Sequence, residues 1–171
     1  MKNTKTVMFV CSEGGHYSQM LALRSLFPKY HSILLTDNER AKKESSDLTG
    51  IQDVFYVGGI SSERKSNVNK KGNDSRWSYT KGYIKAFKQC YNILRTVKPK
   101  VIISTGSYIA VPVFIIGKMM GAKLVYIETR AKVYCKSLTG ILIGGISDKV
   151  IVQWPEMKKV YKNAEYYGTL I

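Results

Sequence analysis

Val7-Met8-Phe9-Val10-Cys11-Ser12-Glu13-Gly14-Gly15-His16, continuing from Tyr17 to Phe27, is the stretch whose reading decides the fold. A short apolar run, a glycine pair and a segment with helical spacing read as strand, tight loop and helix. Gly14 and Gly15 tolerate φ > 0 and let a ligand approach the backbone. The first N–H groups of the following helix lack intrahelical partners and favour an anionic or strongly polar group. His16 stands at that junction. Alone, the glycine pair fits a plain turn as well as a binding loop.

The pattern repeats along the chain. HSILLT (31–36), DVFYV (53–57), KVIIS (100–104), KLVYI (123–127) and KVIVQ (149–153) are short apolar runs, and EYYGTLI (165–171) is a last extended piece. Helical segments are predicted between them: Tyr17 to Phe27 with Met20, Leu23 and Phe27 inward and Pro28 as the stop, Tyr79 to Val97 with Ile84, Phe87, Tyr91 and Leu94 at core spacing, Tyr108 to Met120 with Pro112 in its first turn, Ser137 to Ile146, and a short one from Trp154 to Tyr161. Residues 39–50 read as polar and irregular, with one helical turn at most. Apolar strands alternating with helices predict an α/β, Rossmann-like, mostly parallel sheet covered on both faces. Ligands of such sheets bind at the carboxyl ends of the strands. That edge would gather Ser12 to His16, Thr105-Gly106-Ser107 and Glu128-Thr129-Arg130.

At 171 residues the chain suits one domain, with a basic loop at about 60–78. Cys11, Cys90 and Cys135 are odd in number and widely spaced, which argues against a disulfide framework or a zinc cluster. No secretory signal is expected, because Val7 to Cys11 is too short an apolar run and Glu13 follows it, and no membrane span, because the longest apolar stretch, Tyr108 to Ile127, is broken by Lys118, Lys123, Pro112, Gly117 and Gly121. The net charge is +15, and from Glu63 to Lys100 eleven Lys/Arg face two acidic residues. Such a concentrated basic face implies an anionic partner. Arg64, Lys65, Arg76, Trp77 and Lys81 are the candidates to meet a membrane surface. A nucleic-acid-binding α/β domain is the rival, but no helix-turn-helix, RNA-stacking motif or zinc finger is visible, and no nucleic acid is expected. A free-standing nucleotide-sugar enzyme, with Gly14-Gly15 cradling the donor, is the other.

Taken in order, the motifs resemble the asparagine-linked-glycosylation subunit fourteen family and its bacterial capsule and exopolysaccharide relatives. The likeness covers nearly the whole chain and rests on Glu13-Gly14-Gly15-His16, Ser104-Thr105-Gly106-Ser107 with Pro112, Tyr126-Ile127-Glu128-Thr129-Arg130, Ser137-Leu138-Thr139-Gly140, Ser147 to Pro155 and Tyr167-Gly168-Thr169-Leu170. More distantly, the same loops are similar to the N-terminal half of the bacterial transferase that adds N-acetylglucosamine to the peptidoglycan lipid intermediate. The resemblance implies the acceptor half of a split GT-B glycosyltransferase, acting on a polyprenyl-diphosphate-linked saccharide in surface polysaccharide biosynthesis. The UDP-sugar donor would sit on a partner subunit, with no cofactor or metal held by this chain. Tyr167, Gly168, Leu170 and Ile171 are then expected at the partner interface. His16 and Glu128 are the candidate bases, and Ser12, Glu13, Gly14, Gly15, Thr105, Gly106, Ser107 and Arg130 the candidate acceptor contacts. Glu13 weakens the case for direct diphosphate binding beside it. Eukaryotic members carry an N-terminal membrane span, whereas six residues precede the first strand here, so attachment is expected to be peripheral, at the cytoplasmic face of the cell membrane.

Overall fold

A computed structural model describes residues 5–45, 48–58 and 73–170, with the side chains of 73–80 excepted. Among these, seven strands form one parallel sheet: β1 (Thr6–Cys11), β2 (His31–Thr36), β3 (Ile51–Tyr56), β4 (Val101–Ser104), β5 (Lys123–Ile127), β6 (Lys149–Val152) and β7 (Ala164–Tyr166). Their spatial order is β3-β2-β1-β4-β5-β6-β7. The chain therefore winds outward from β1 in one direction, returns, and winds outward from β4 in the other. The boundary between β1 and β4, paired from Val7 with Val101 to Val10 with Ser104, is the topological switch point.

The helices that cover the sheet are α1 (Gly15–Leu21), α2 (Glu39–Ser45), α3 (Asn73–Val97), α4 (Ala110–Met119) and α5 (Leu138–Ile143), with 3₁₀ turns at Arg24–Lys29 and Pro155–Lys159. β1 is central and covered on both sides, so Val7 to Cys11 are all buried. Its side chains divide between two cores. Phe9 packs edge-on against Phe27 at 4.8 Å beside Tyr17 and Met20, while Met8 and Val10 join Ile102, Phe114, Leu124 and Leu94. Each large side chain buried in this way contributes about 1.5–3 kcal/mol.

Several boundaries differ from the sequence reading. The predicted Tyr17–Phe27 helix breaks after Leu21 and resumes as a 3₁₀ turn that contains Pro28, which lies inside that turn and not after it. The polar segment after β2 forms a true helix, α2, whose N-terminus is held by the Asn38 Oδ1 atom accepting from Ala41 N at 3.0 Å. The long helix α3 starts at Asn73, so residues 73–78 are helical where a loop was expected. Its buried stripe is Ala86, Cys90 and Leu94, and Ile84 and Tyr91, expected in the core, are 65% and 47% exposed. The α4 helix begins at Ala110, after a turn through Tyr108, and the terminal strand ends at Tyr166. Arg64, Lys65 and Ile171 lie outside the described residues; Arg76 and Trp77 fall on the first turns of α3. No helix among the described residues is long and apolar enough to cross a membrane.

Cys11 and Cys90 are buried and Cys135 is exposed. Burial pushes the Cys90 thiol up to about 12 and raises that of Cys11 further, so neither supplies thiolate near neutral pH. A thiol-specific disulfide reagent at pH 8 is expected to titrate one thiol in the native chain and three after denaturation; two or more native thiols would contradict this packing.

Candidate functional site

The loops that follow β1 and β4 meet across the switch point. His16 Nδ1 lies 2.8 Å from the Thr105 carbonyl oxygen, and Thr105 Oγ1 donates to the His16 carbonyl oxygen at 2.8 Å. A carbonyl only accepts, so Nδ1 carries the hydrogen of the neutral ring and Nε2 keeps its lone pair. This reciprocal clasp joins residues 89 apart in sequence. It fixes both the tautomer and the ring orientation of a half-buried histidine.

Gly106 is the floor under that ring. Its φ is +101°, and a Cβ there would stand 2.9 Å from His16 Cε1. A side chain would be both strained and in collision with the imidazole. The loop is braced underneath by Ser104, whose hydroxyl donates to Val10 O at 2.9 Å and accepts from Gly106 N at 3.1 Å. Gly106→Ala is expected to move the His16 ring and to lower thermal stability by about 1–3 kcal/mol. An unchanged melting curve and unchanged His16 resonances would contradict this packing.

Ser107 also holds a left-handed conformation, φ +111°, without the excuse of being glycine. It is 6% exposed, and its hydroxyl has no hydrogen-bond partner among the described residues. Strain and a buried hydroxyl without a partner among the described residues coincide at Ser107, which makes it a candidate ligand contact. This residue directly precedes the turn into α4, a helix with no side-chain N-cap.

On the first loop, Gly14 (φ +70°) caps α1 through its backbone alone. Gly15 begins the helix, and Ser12 is half-buried at the end of β1. Glu13 turns toward β2, where its carboxylate accepts from Asn38 Nδ2 at 2.7 Å. With Gly14, Tyr17 and Arg40 it lines an open cleft of about 370 Å³. The carboxylate that complicated an anion site at this loop is thus engaged with Asn38.

Glu128 has a different situation from the one its position at the end of β5 suggests. It is fully buried. One carboxylate oxygen accepts from Tyr126 Oη (2.8 Å) and Thr129 N (2.8 Å), the other from Tyr161 Oη (2.5 Å) and Ser137 N (3.1 Å). Four donors saturate both oxygens, so the group ties β5, the start of α5 and the Tyr161 turn together. Burial and the adjacent carboxylate raise both phenols far above their ordinary range, which keeps them as donors. Ser137 Oγ accepts from Gly140 N at 3.0 Å and caps α5.

Arg130 is exposed, while its backbone is pinned on both sides: the N–H donates to Gln19 Oε1 at 3.3 Å, and the carbonyl accepts from Trp154 Nε1 at 2.7 Å. At the chain end, Tyr167 is 71% exposed and donates its hydroxyl to Glu165, which is also paired with Lys149 at 2.9 Å. Gly168 has φ +98°, and Leu170 N donates to Gln153 Oε1 at 3.0 Å. His16, Thr105, Gly106 and Ser107 are therefore brought together at the switch point. Glu128 lies in the core beneath that edge, and Tyr167 to Leu170 lie along it beyond Gln153.

Sequence reasoning gave no site role to Gln19 or Tyr161, nor to Tyr126, Ser137 and Gln153, which it quoted only as parts of motifs. Gln19 carried a usable signal: it interrupts the apolar face of α1 beside Met20, one turn after Gly15. Gln153 ends an otherwise apolar strand. Buried amides at such points need partners, and both have them.

The chain matches the family model "Oligosaccharide biosynthesis protein Alg14 like" over residues 6–170. Among curated relatives, the UDP-N-acetylglucosamine transferase subunit alg14 of Schizosaccharomyces pombe is 37% identical over 181 residues, covering 96% of this chain and 82% of that one. The Debaryomyces hansenii subunit is 32% identical, at 96% and 76% coverage, and the Homo sapiens subunit 23% identical, at 99% and 85%. Among solved structures, Acinetobacter baumannii MurG superposes with a TM-score of 0.72 at 17% identity over 96% of this chain. The UDP-N-acetylglucosamine 2-epimerase of Rickettsia bellii does so at 0.68 and 12% over 98%. The chain spans under half the length of those two, 45% and 46%, and shares with them the N-terminal fold of a GT-B enzyme. With the glycine loop, the clasped His16 and the Glu128 brace all lying within the matched span, the chain belongs to the Alg14 family.

Proposed function

We propose that this chain is the acceptor-binding, membrane-associating subunit of a two-chain glycosyltransferase. With a UDP-sugar-binding partner it transfers N-acetylglucosamine, galactose or a similar sugar onto a polyprenyl-diphosphate-linked saccharide. The observation that carries this reading is the switch-point crevice, where a tautomer-fixed His16 stands beside Ser107, strained and without a hydrogen-bond partner. In the transfer, His16 Nε2 accepts the proton of the acceptor hydroxyl as its oxygen attacks the anomeric carbon and UDP departs. Ser107 and the N–H groups entering α4 receive the acceptor's diphosphate, with Arg130 adding charge at the rim. Ser12, Gly14 and Gly15 let the acceptor approach the backbone. Glu128 is assigned a positioning role, since its oxygens are already saturated. Tyr167, Gly168, Leu170 and Ile171 meet the partner.

The relatives named above are eukaryotic glycosylation subunits, so the surface-polysaccharide setting rests on the sequence resemblance. Attachment to the inner face of the cell membrane is proposed through the basic segment that contains Arg64, Lys65, Arg76, Trp77 and Lys81. Lys81, Lys85, Lys88 and Arg95 are all exposed on α3, with Ile84 and Tyr91 exposed beside them, a composition suited to an anionic interface. Replacing Lys81, Lys85 and Lys88 together by alanine is expected to weaken binding to anionic vesicles about 100-fold at about 0.1 M salt. Vesicle affinity equal to wild type would contradict this.

Calorimetry on the purified chain separates the acceptor reading from a free-standing nucleotide-sugar enzyme. Binding of a short-chain polyprenyl-diphosphate sugar, with no binding of UDP-N-acetylglucosamine, is expected. The reverse would overturn it.

A further inference from the structure

Two buried side-chain amides form a continuous link from the chain's tail to the first loop. Gln153, just past β6, is 1% exposed, and Gln19, on α1, is 4% exposed. Gln153 Oε1 accepts from Leu170 N at 3.0 Å, and its Nε2 donates to the Glu128 carbonyl at 2.9 Å and to Gln19 Oε1. Gln19 Oε1 also accepts from Arg130 N at 3.3 Å, and its Nε2 donates to the Gly15 carbonyl at 3.1 Å. Neither amide can flip. Leu170 N–H and Arg130 N–H only donate and so demand an oxygen, while the Gly15 and Glu128 carbonyls only accept and so demand an NH₂. The orientation of one amide therefore dictates that of the other. Between them they hold the backbone of the His16 loop, the Arg130 loop and the tail through hydrogen bonds that include pairs 17 and 134 residues apart.

We propose that Gln19 and Gln153 are positioning residues that carry the state of the tail at Leu170 to the loop bearing His16, so that a partner seated on the tail sets the acceptor loop for transfer. The proposal rests on the tail meeting the partner, as described under the proposed function. Its physical content is a two-state link. When Leu170 N–H is withdrawn, Gln153 Oε1 is left buried without a donor and the pair has reason to turn. Gly15 then loses its side-chain contact beside His16. A contiguous chain of contacts is not by itself coupling, so the test measures coupling directly.

The 171-residue chain, isotopically labelled, has two histidines, His16 and His31, so the imidazole signals are assigned with His31→Gln. Leu170→Pro removes the tail's N–H donor without touching the core. It is expected to shift the His16 imidazole and Gly15 amide resonances. In a Gln153→Leu background it is expected to cause no further shift, and Tyr167→Ala, on the tail but outside the amide link, is expected to leave His16 unmoved. Unmoved His16 signals in Leu170→Pro, an equal shift from Tyr167→Ala, or a shift that survives in Gln153→Leu would each overturn the proposal. If Gln153→Leu does not fold, the comparison of Leu170→Pro with Tyr167→Ala decides. In the two-chain complex at saturating partner, Leu170→Pro is expected to raise the acceptor KM about tenfold with a smaller change in kcat. An inert wild-type complex would bring down the transferase reading and leave the resonance result standing.

Discussion

Glu128→Ala is expected to destabilise the fold by about 3–5 kcal/mol, read as a lower urea midpoint with an unchanged slope. The substitution strands four donors at once: the hydroxyls of Tyr126 and Tyr161 and the backbone N–H groups of Thr129 and Ser137. Each unsatisfied buried donor costs about 1–3 kcal/mol, reduced where a hydroxyl can rotate to a new acceptor. Little compensating motion is available, because a Cβ on Gly140 would already collide with both Tyr161 Oη and the Glu128 carboxylate. Glu128→Gln keeps one acceptor but turns an NH₂ group toward donors, and is expected to cost roughly half as much. If Glu128 were a catalytic base facing the cleft, the alanine variant would fold with native stability and lose only turnover.

His16→Gln is expected to show the opposite pattern: native-like stability with turnover of the two-chain complex lowered by about 10²–10⁴-fold. The ring is half-buried at a loop, and it contributes one hydrogen bond to the buried Thr105 carbonyl, to which the NH₂ of a glutamine can also donate. Its removal opens little core. What it removes is an Nε2 lone pair whose direction is fixed by the Thr105 clasp. Thr105→Val, which deletes the hydroxyl that donates to the His16 carbonyl, is expected to lower turnover less, because the Nδ1 contact to the Thr105 backbone survives the change. Full activity in His16→Gln would assign the loop to acceptor binding alone.

The parallel sheet was legible because β1, β2, β4 and β5 are apolar runs that local physics reads directly, and β2 and β5 begin and end where periodicity puts them. Strand order was not legible. It depends on crossovers and not on local pattern, and it is the order that brings Thr105 beside His16. The core stripe of α3 was misassigned because Ile84 and Tyr91 have the right spacing and character, while tertiary packing selects the smaller Ala86 and Cys90 for contact with α4. Glu128 was legible as a carboxylate at a strand end and a candidate base, but its surroundings were not: only the fold shows Tyr161 arriving from 33 residues away to hydrogen-bond it. Gln19 and Gln153 are a similar case: each interrupts a local apolar pattern, but their partners arrive from 17 to 134 residues away and only the fold shows them.

The central claim is that this chain supplies the acceptor half of a transferase and another chain supplies the donor. The most direct measurement is sugar transfer from UDP-N-acetylglucosamine and UDP-galactose to a polyprenyl-diphosphate-linked saccharide. It is run with the chain alone, with its UDP-sugar-binding partner alone, and with the two co-purified. Product formed only by the pair, and lost in the pair carrying His16→Gln, is the predicted result. Transfer by this chain without a partner, or a pair that assembles and transfers no sugar to any lipid-diphosphate acceptor, would contradict it.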